Sequence, residues 1–212
     1  MLKELTDYLK TCQRATLILA LANIGVFIWL TVTGSTEDVL FMLHHGACYT
    51  PLILEGEYYR LFTGMFLHFG LMHLIYNMLC LFTLGNLLEQ EIGTVRFLVV
   101  YLAGGLAGNL ASMAAELYFH RRQFAVSAGA SGALFAVTGA LFWLVLANRS
   151  GFFRRRRRIG AGLARIPVRR MGLMVLLMTA QGFMETGTDN AAHIGGLAGG
   201  FLIAAVLSFL PV

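Results

Sequence analysis

GASGALFAVTGALFWLVLAN, residues 129–148, contains no charged side chain and is long enough to cross a bilayer as a helix. A hydroxyl, Ser131, stands at its start. Polar groups at membrane depth are expensive and are retained for a packing contact or for chemistry. Two more apolar stretches carry such groups, His73 and Asn77 in one and His193 in the other. Composition extends this reading to the whole chain. Of 212 residues, 58% are apolar and 13% are charged, against roughly 25% charged in soluble domains. With a mean hydropathy of +0.71, the chain is predicted to be an integral membrane protein, all-α and polytopic. At about 20 residues per crossing it has material for about six spans and no sizeable soluble domain.

Hydropathy places the spans near residues 15–32, within 61–88, and at 97–117, 131–147, 171–184 and 191–210. The fifth is short. One domain is therefore expected over 15–212, preceded by a short amphipathic segment, 1–14, which does not resemble a cleavable signal. Apolar residues in the loop 33–60 suggest a piece lying on or partly in the membrane. Glu89, Glu91 and Arg96 read as a turn between spans 2 and 3. Lys3, Lys10 and Arg14 precede span 1, and an arginine-rich loop (149–170) joins spans 4 and 5. An even span count puts both on one face, which the positive-inside bias makes cytoplasmic. Arg121 and Arg122 violate that bias mildly. The net charge of +5 is concentrated in the one basic loop, which argues for topology, not for nucleic-acid binding. Cys12, Cys48 and Cys80 lie in different segments, so no disulfide framework is expected.

The polar residues suggest acyl transfer. Ser131 begins span 4 and His193 lies about one turn into span 6, both near the outer face. A neutral imidazole could take the serine proton and return it to a leaving amine. Asp189 precedes His193 by four residues and could complete a triad, but an Asp-Asn pair at a helix start reads better as a cap. A Ser131–His193 dyad is the simpler expectation. His73 and Asn77, spaced i, i+4, share a helix face. With the Ser131 amide at a helix start they could stabilise an oxyanion. Gly129 and Gly132 leave room for a substrate backbone. Each residue has a plainer role open to it: the serine bonding its own helix, His73 and Asn77 bonding each other, or a histidine serving a proton path. A metal reading with His68, His73 and His193 lacks the HExxH pattern. No metal or cofactor is expected. Gly196 and Gly200 follow His193 on one face, where small residues let helices approach closely in lipid.

These motifs resemble those of the rhomboid intramembrane serine proteases. His68-x4-His73-x3-Asn77 is similar to that family's span 2 motif, Gly129-Ala130-Ser131-Gly132 to its GxSG, and Ala192-His193-x2-Gly196-x3-Gly200 to its span 6 motif. Gly85-x3-Glu89-x3-Gly93-x3-Phe97 resembles its turn after span 2. The likeness runs from about residue 15 to 210 and is nearest the six-span bacterial form. It implies Ser131 as nucleophile, His193 as base, and His73, Asn77 and the Ser131 amide as oxyanion donors. His68, with Gly129 and Phe135, would line the pocket and retain water. It also implies substrates that are transmembrane segments of other proteins, cut near their outer ends, and a mobile span 5. Localisation would be a multi-pass protein of the cell membrane with the site opening outward. A non-catalytic relative that only binds such segments would usually lack the serine or the histidine. Two departures stand out. Tyr59 replaces the usual Trp before Arg60, and Phe135 replaces the usual Tyr expected to stack on the histidine.

Overall fold

The computed structural model describes residues 12–119, 124–149, 166–184 and 187–210. The basic run at 154–158, the Arg121-Arg122 pair and most of the amino-terminal segment lie outside them. Among the described residues the chain is helical, with one two-residue β-bridge, Cys48 to Ser127. The long helices are α1 (Arg14–Thr33), α5 (Gly70–Ile92), α6 (Thr94–Tyr118), α7 (Ser131–Arg149), α8 (Val168–Met184) and α9 (Asn190–Leu207). Short helices α2 (Val39–His44), α3 (Thr50–Leu54) and α4 (Arg60–Thr63) fill the connection between α1 and α5. Among the described residues, five helices, α1, α5, α6, α7 and α9, are long and apolar enough to cross a membrane. The remaining predicted span, α8, has 17 residues and carries Arg169 and Arg170 in its first turn.

α7 is the hub. Its 18-residue apolar window is 72% buried, against 28–39% for the other four, so it is enclosed by protein while they face outward. Ala133, Leu134, Ala136, Val137, Ala140 and Leu141 are each at most 2% exposed. The glycines allow this. A methyl on Gly196 would meet the carbonyl oxygen of Gly132, one on Gly200 that of Ala136, and one on Gly139 that of Leu197. α7 and α9 therefore touch backbone to backbone, the arrangement that dispersion favours where no hydrophobic effect drives association.

The structure narrows one boundary of the hydropathy reading, which placed the second span within 61–88, and moves another. The second span does not begin among residues 61–69. There the chain forms α4, a 3₁₀ turn (Gly64–Phe66) and an extended link. The helix starts only at Gly70, whose φ of +75° suits glycine. At the other end, Glu89 and Glu91 are not in a turn. The helix continues to Ile92 and stops at Gly93, φ +81°. Glu89 can stay helical and buried because four donors satisfy it. Its carboxylate accepts from the Ala15 and Thr16 N–H groups at 3.0 and 2.8 Å, and from the Thr16 and Thr94 hydroxyls at 2.8 Å each. It thus caps α1 from a distance and offsets the positive end of that helix. A π turn at Leu81–Gly85 lies midway along α5.

The connection between α1 and α5 is built around Arg60, which is 4% exposed. Its guanidinium donates to the Leu43 and Ala47 carbonyls at 2.6 and 3.0 Å and to the Glu57 carboxylate at 2.6 Å. Asp38 caps α2 by accepting from the Leu40 and Phe41 N–H groups. The three cysteines are free thiols. Burial pushes the Cys48 thiol up to about 12, so it remains protonated and donates to the Arg60 carbonyl at 3.0 Å.

Candidate active site

Ser131 is the first residue of α7, and its N–H is among those with no acceptor inside the helix. The turn before it is glycine-dependent. Gly129 has φ +144°, and its N–H donates to the Gly64 carbonyl at 2.9 Å. A side chain there would lie 2.8 and 2.9 Å from Cε1 and Nε2 of His73, and 3.7 Å from Ser131 Oγ. Glycine thus lets the His73 ring and the Ser131 hydroxyl flank the same small space.

His193 lies in the first turn of α9 and is 9% exposed. Its Nε2 is 2.9 Å from Ser131 Oγ. The Phe135 ring lies over the imidazole, centroids 4.2 Å apart and planes 13° from parallel. Stacking and the close α7–α9 seam together hold this ring against the serine. The arrangement has the nucleophile–base geometry required for acyl transfer. Asp189 does not join it. Its carboxylate accepts from the Ala192 N–H at 3.0 Å and from the Ser112 hydroxyl at 2.6 Å. It is the helix cap that the sequence suggested, and it also ties α9 to α6.

His73 and Asn77 occupy the first two turns of α5 and share a face, on which the His73 ring reaches the Gly129 turn before α7. Asn77 is not bonded to the His73 ring. Its amide donates to the His73 backbone carbonyl at 3.0 Å, which commits one of its two N–H groups within the helix. His68 precedes α5, is fully buried, and accepts from the Ala130 N–H at 3.4 Å. Its ring meets that of His73 edge-on, centroids 5.2 Å apart. The structure therefore gathers Ser131, His193, His73, Gly129 and Phe135 at one end of the bundle, with His68 and Asn77 behind them. Among the described residues, no cluster of His, Cys, Asp or Glu has the form of a metal site. The sequence reading took Asn190 only as part of a helix-start pair. Asn190 Nδ2 donates to the Gly182 carbonyl at 3.1 Å, joining α9 to the end of α8 beside His193.

Comparison with known proteins agrees with the geometry. The family model described as the Rhomboid domain matches residues 55–209. The chain is similar to the rhomboid protease GluP of Bacillus subtilis, 38% identical over 185 residues, covering 87% of this chain and 33% of GluP. It is 36% identical over 166 residues to RHOMBOID-like protein 5 of Arabidopsis thaliana, covering 78% of this chain and 49% of that protein. It is also 32% identical over 197 residues to YdcA of Bacillus subtilis, covering 93% of this chain and 87% of YdcA. The chain thus spans between a third and a half of the length of the first two.

Proposed function

The chain belongs to the rhomboid family, and from that premise we propose that it is an intramembrane serine endopeptidase acting on transmembrane segments of other proteins. The observation that supports this best is the 2.9 Å approach of His193 Nε2 to Ser131 Oγ, buried beneath the Phe135 ring. Ser131 Oγ attacks the substrate carbonyl carbon while its proton passes to His193 Nε2. Charge develops on the carbonyl oxygen. The Ser131 amide, the His73 ring and the remaining Asn77 N–H face it as donors. The C–N bond breaks, the imidazolium protonates the leaving amine, and an ester on Ser131 remains. Water then attacks that ester. His193 takes one water proton and returns it to Ser131 as the acid product leaves. No metal or cofactor takes part.

In this reading residues 15–212 form one catalytic unit in the cell membrane. The 1–14 segment and the arginine-rich loop are cytoplasmic, the site opens to the opposite face, and His68 holds water behind it. The partners are the lipid bilayer and the substrate's transmembrane segment. Ser131→Ala should leave the fold intact and lower cleavage of a single-span substrate by at least ~10³-fold. A fluorophosphonate should label Ser131, and labelling should vanish in His193→Ala. Cleavage by Ser131→Ala at the wild-type rate refutes the assignment.

A further inference from the structure

Ser131 and His193 stand on different helices, so a third element must set how they meet. We propose that Glu116, on α6, is the positioning residue for the serine: its carboxylate takes a rung that the backbone leaves open at Ala125, and so fixes where the segment 125–130 delivers Ser131. The inference rests on the peptidase reading given above for what turnover reports, but its geometry is independent of it.

The segment before Ser131 is held at alternate residues. The Ala125 N–H donates to Glu116 Oε1 at 3.0 Å. Ser127 and Cys48 exchange N–H···O bonds at 2.9 and 2.8 Å, and the Gly129 N–H donates to the Gly64 carbonyl at 2.9 Å. Cys48 and Ser127 are thus a hydrogen-bonded pair of an antiparallel ladder. The next such pair falls two residues along each strand, at Thr50 and Ala125. The backbone of Thr50 does not make that rung, because α3 begins there and the chain has left the extended form. Glu116 makes it instead. One oxygen accepts from the Ala125 N–H and the other from the Thr50 hydroxyl at 2.5 Å. The hydroxyl steadies the carboxylate, and the bond to Ala125 carries the positioning.

α6 itself gains nothing from this acid. Glu116 lies in its last turn, where the helix dipole disfavours an anion. It is 9% exposed, and Arg96 at the opposite end is the one other charged side chain of the helix. One turn earlier, on the same face, the Ser112 hydroxyl donates to Asp189, and Asp189 caps α9 ahead of His193. Two residues spaced i, i+4 on α6 therefore hold the approach to the nucleophile and the start of the base's helix. The 2.9 Å from His193 Nε2 to Ser131 Oγ is set against that common support.

The test uses the full chain in detergent. It reads kcat and KM on a single-span substrate, the rate at which a fluorophosphonate labels Ser131, and hydrogen–deuterium exchange over residues 124–130. Glu116→Leu should speed exchange of the 125–129 amides and lower kcat and the labelling rate on the order of tenfold, with KM kept within about twofold. Glu116→Gln should restore all of these, since its carbonyl can accept from Ala125 while its amino group donates to the Thr50 hydroxyl. Thr50→Val removes the neighbouring tie and keeps the one to Ala125, so kcat and labelling should stay within about twofold of wild type. Where Glu116→Leu does not fold, Glu116→Asp decides: its carboxylate is one methylene short of Ala125 and should show the same slowed labelling. Wild-type labelling and kcat in Glu116→Leu, or in Glu116→Asp where it stands in, overturn the inference. So does an equal loss in Glu116→Leu and Thr50→Val, which would leave Glu116 a tie for stability only. An equal loss in Glu116→Leu and Glu116→Gln overturns it too, by assigning the effect to charge. A wild-type chain that cleaves nothing refutes the peptidase reading alone, and labelling and exchange then decide this one.

Discussion

Phe135 covers the His193 imidazole with a ring that offers no hydroxyl. What the stack supplies is surface and orientation. An aromatic pair is worth about 0.5–1.5 kcal/mol beyond the area it buries. Phe135→Ala should therefore lower kcat about three- to tenfold, while Phe135→Tyr keeps it, in a turnover assay on a single-span substrate. The candidate site was largely legible at this scale. Ser131, His73 and His193 stand out because each is polar within an apolar run, and Gly129 because it precedes the serine. Asn190 was not legible. An Asx residue at a helix start reads as a cap, and only the coordinates show that Asp189 has already taken that part. Asn77 was legible as a donor, but its bond to the His73 carbonyl depends on a rotamer that spacing does not fix.

The helices owe their packing to what is missing from them. Along the α7–α9 seam a Cβ at Gly196 would overlap the Gly132 carbonyl. Gly196→Val should cost at least about 1–3 kcal/mol and pull His193 from Ser131. Gly172→Ala, in α8, has nothing within 4 Å and should be tolerated. Thermal unfolding in detergent, read beside fluorophosphonate labelling, separates the two. The small-residue spacing that makes this seam was visible in the sequence. The start of α5 was not, because residues 61–69 are as apolar as the helix that follows. Hydropathy has no term for the positive φ of Gly70 that delays the helix.

Over the whole molecule, the connection between α1 and α5 is held to the bundle by polar ties. The Thr50 hydroxyl and the Ala125 N–H both donate to the Glu116 carboxylate, at 2.5 and 3.0 Å, so α3, α6 and the segment before Ser131 share one anion. Arg60 gathers the rest. The hydroxyl of Tyr59 and then the guanidinium of Arg60 hold the Glu57 carboxyl below its ordinary range. Such a group contributes stability above the ordinary carboxylate pKa and loses it as pH falls through the lowered value. Glu57→Gln should accordingly flatten the acid side of a melting-temperature profile taken from neutral pH downward, with little change near neutrality. This architecture was only partly foreseeable. The loop's apolar content suggested something packed or membrane-bound, but no periodicity announces a buried arginine with two carbonyl partners.

The π turn at Leu81–Gly85 lets one continuous rod serve two addresses. Above it, His73 and Asn77 aim at α7; below it, Glu89 aims at the first turn of α1. Each residue of a helix advances the azimuth by about 100°, and the turn absorbs one surplus step between those two aims. Forcing the same residues into a regular α ladder would swing everything beneath it by that angle. The chain would then have to give up either the side chains it holds beside the serine or the anchor of its first crossing, although no residue of either would have been altered.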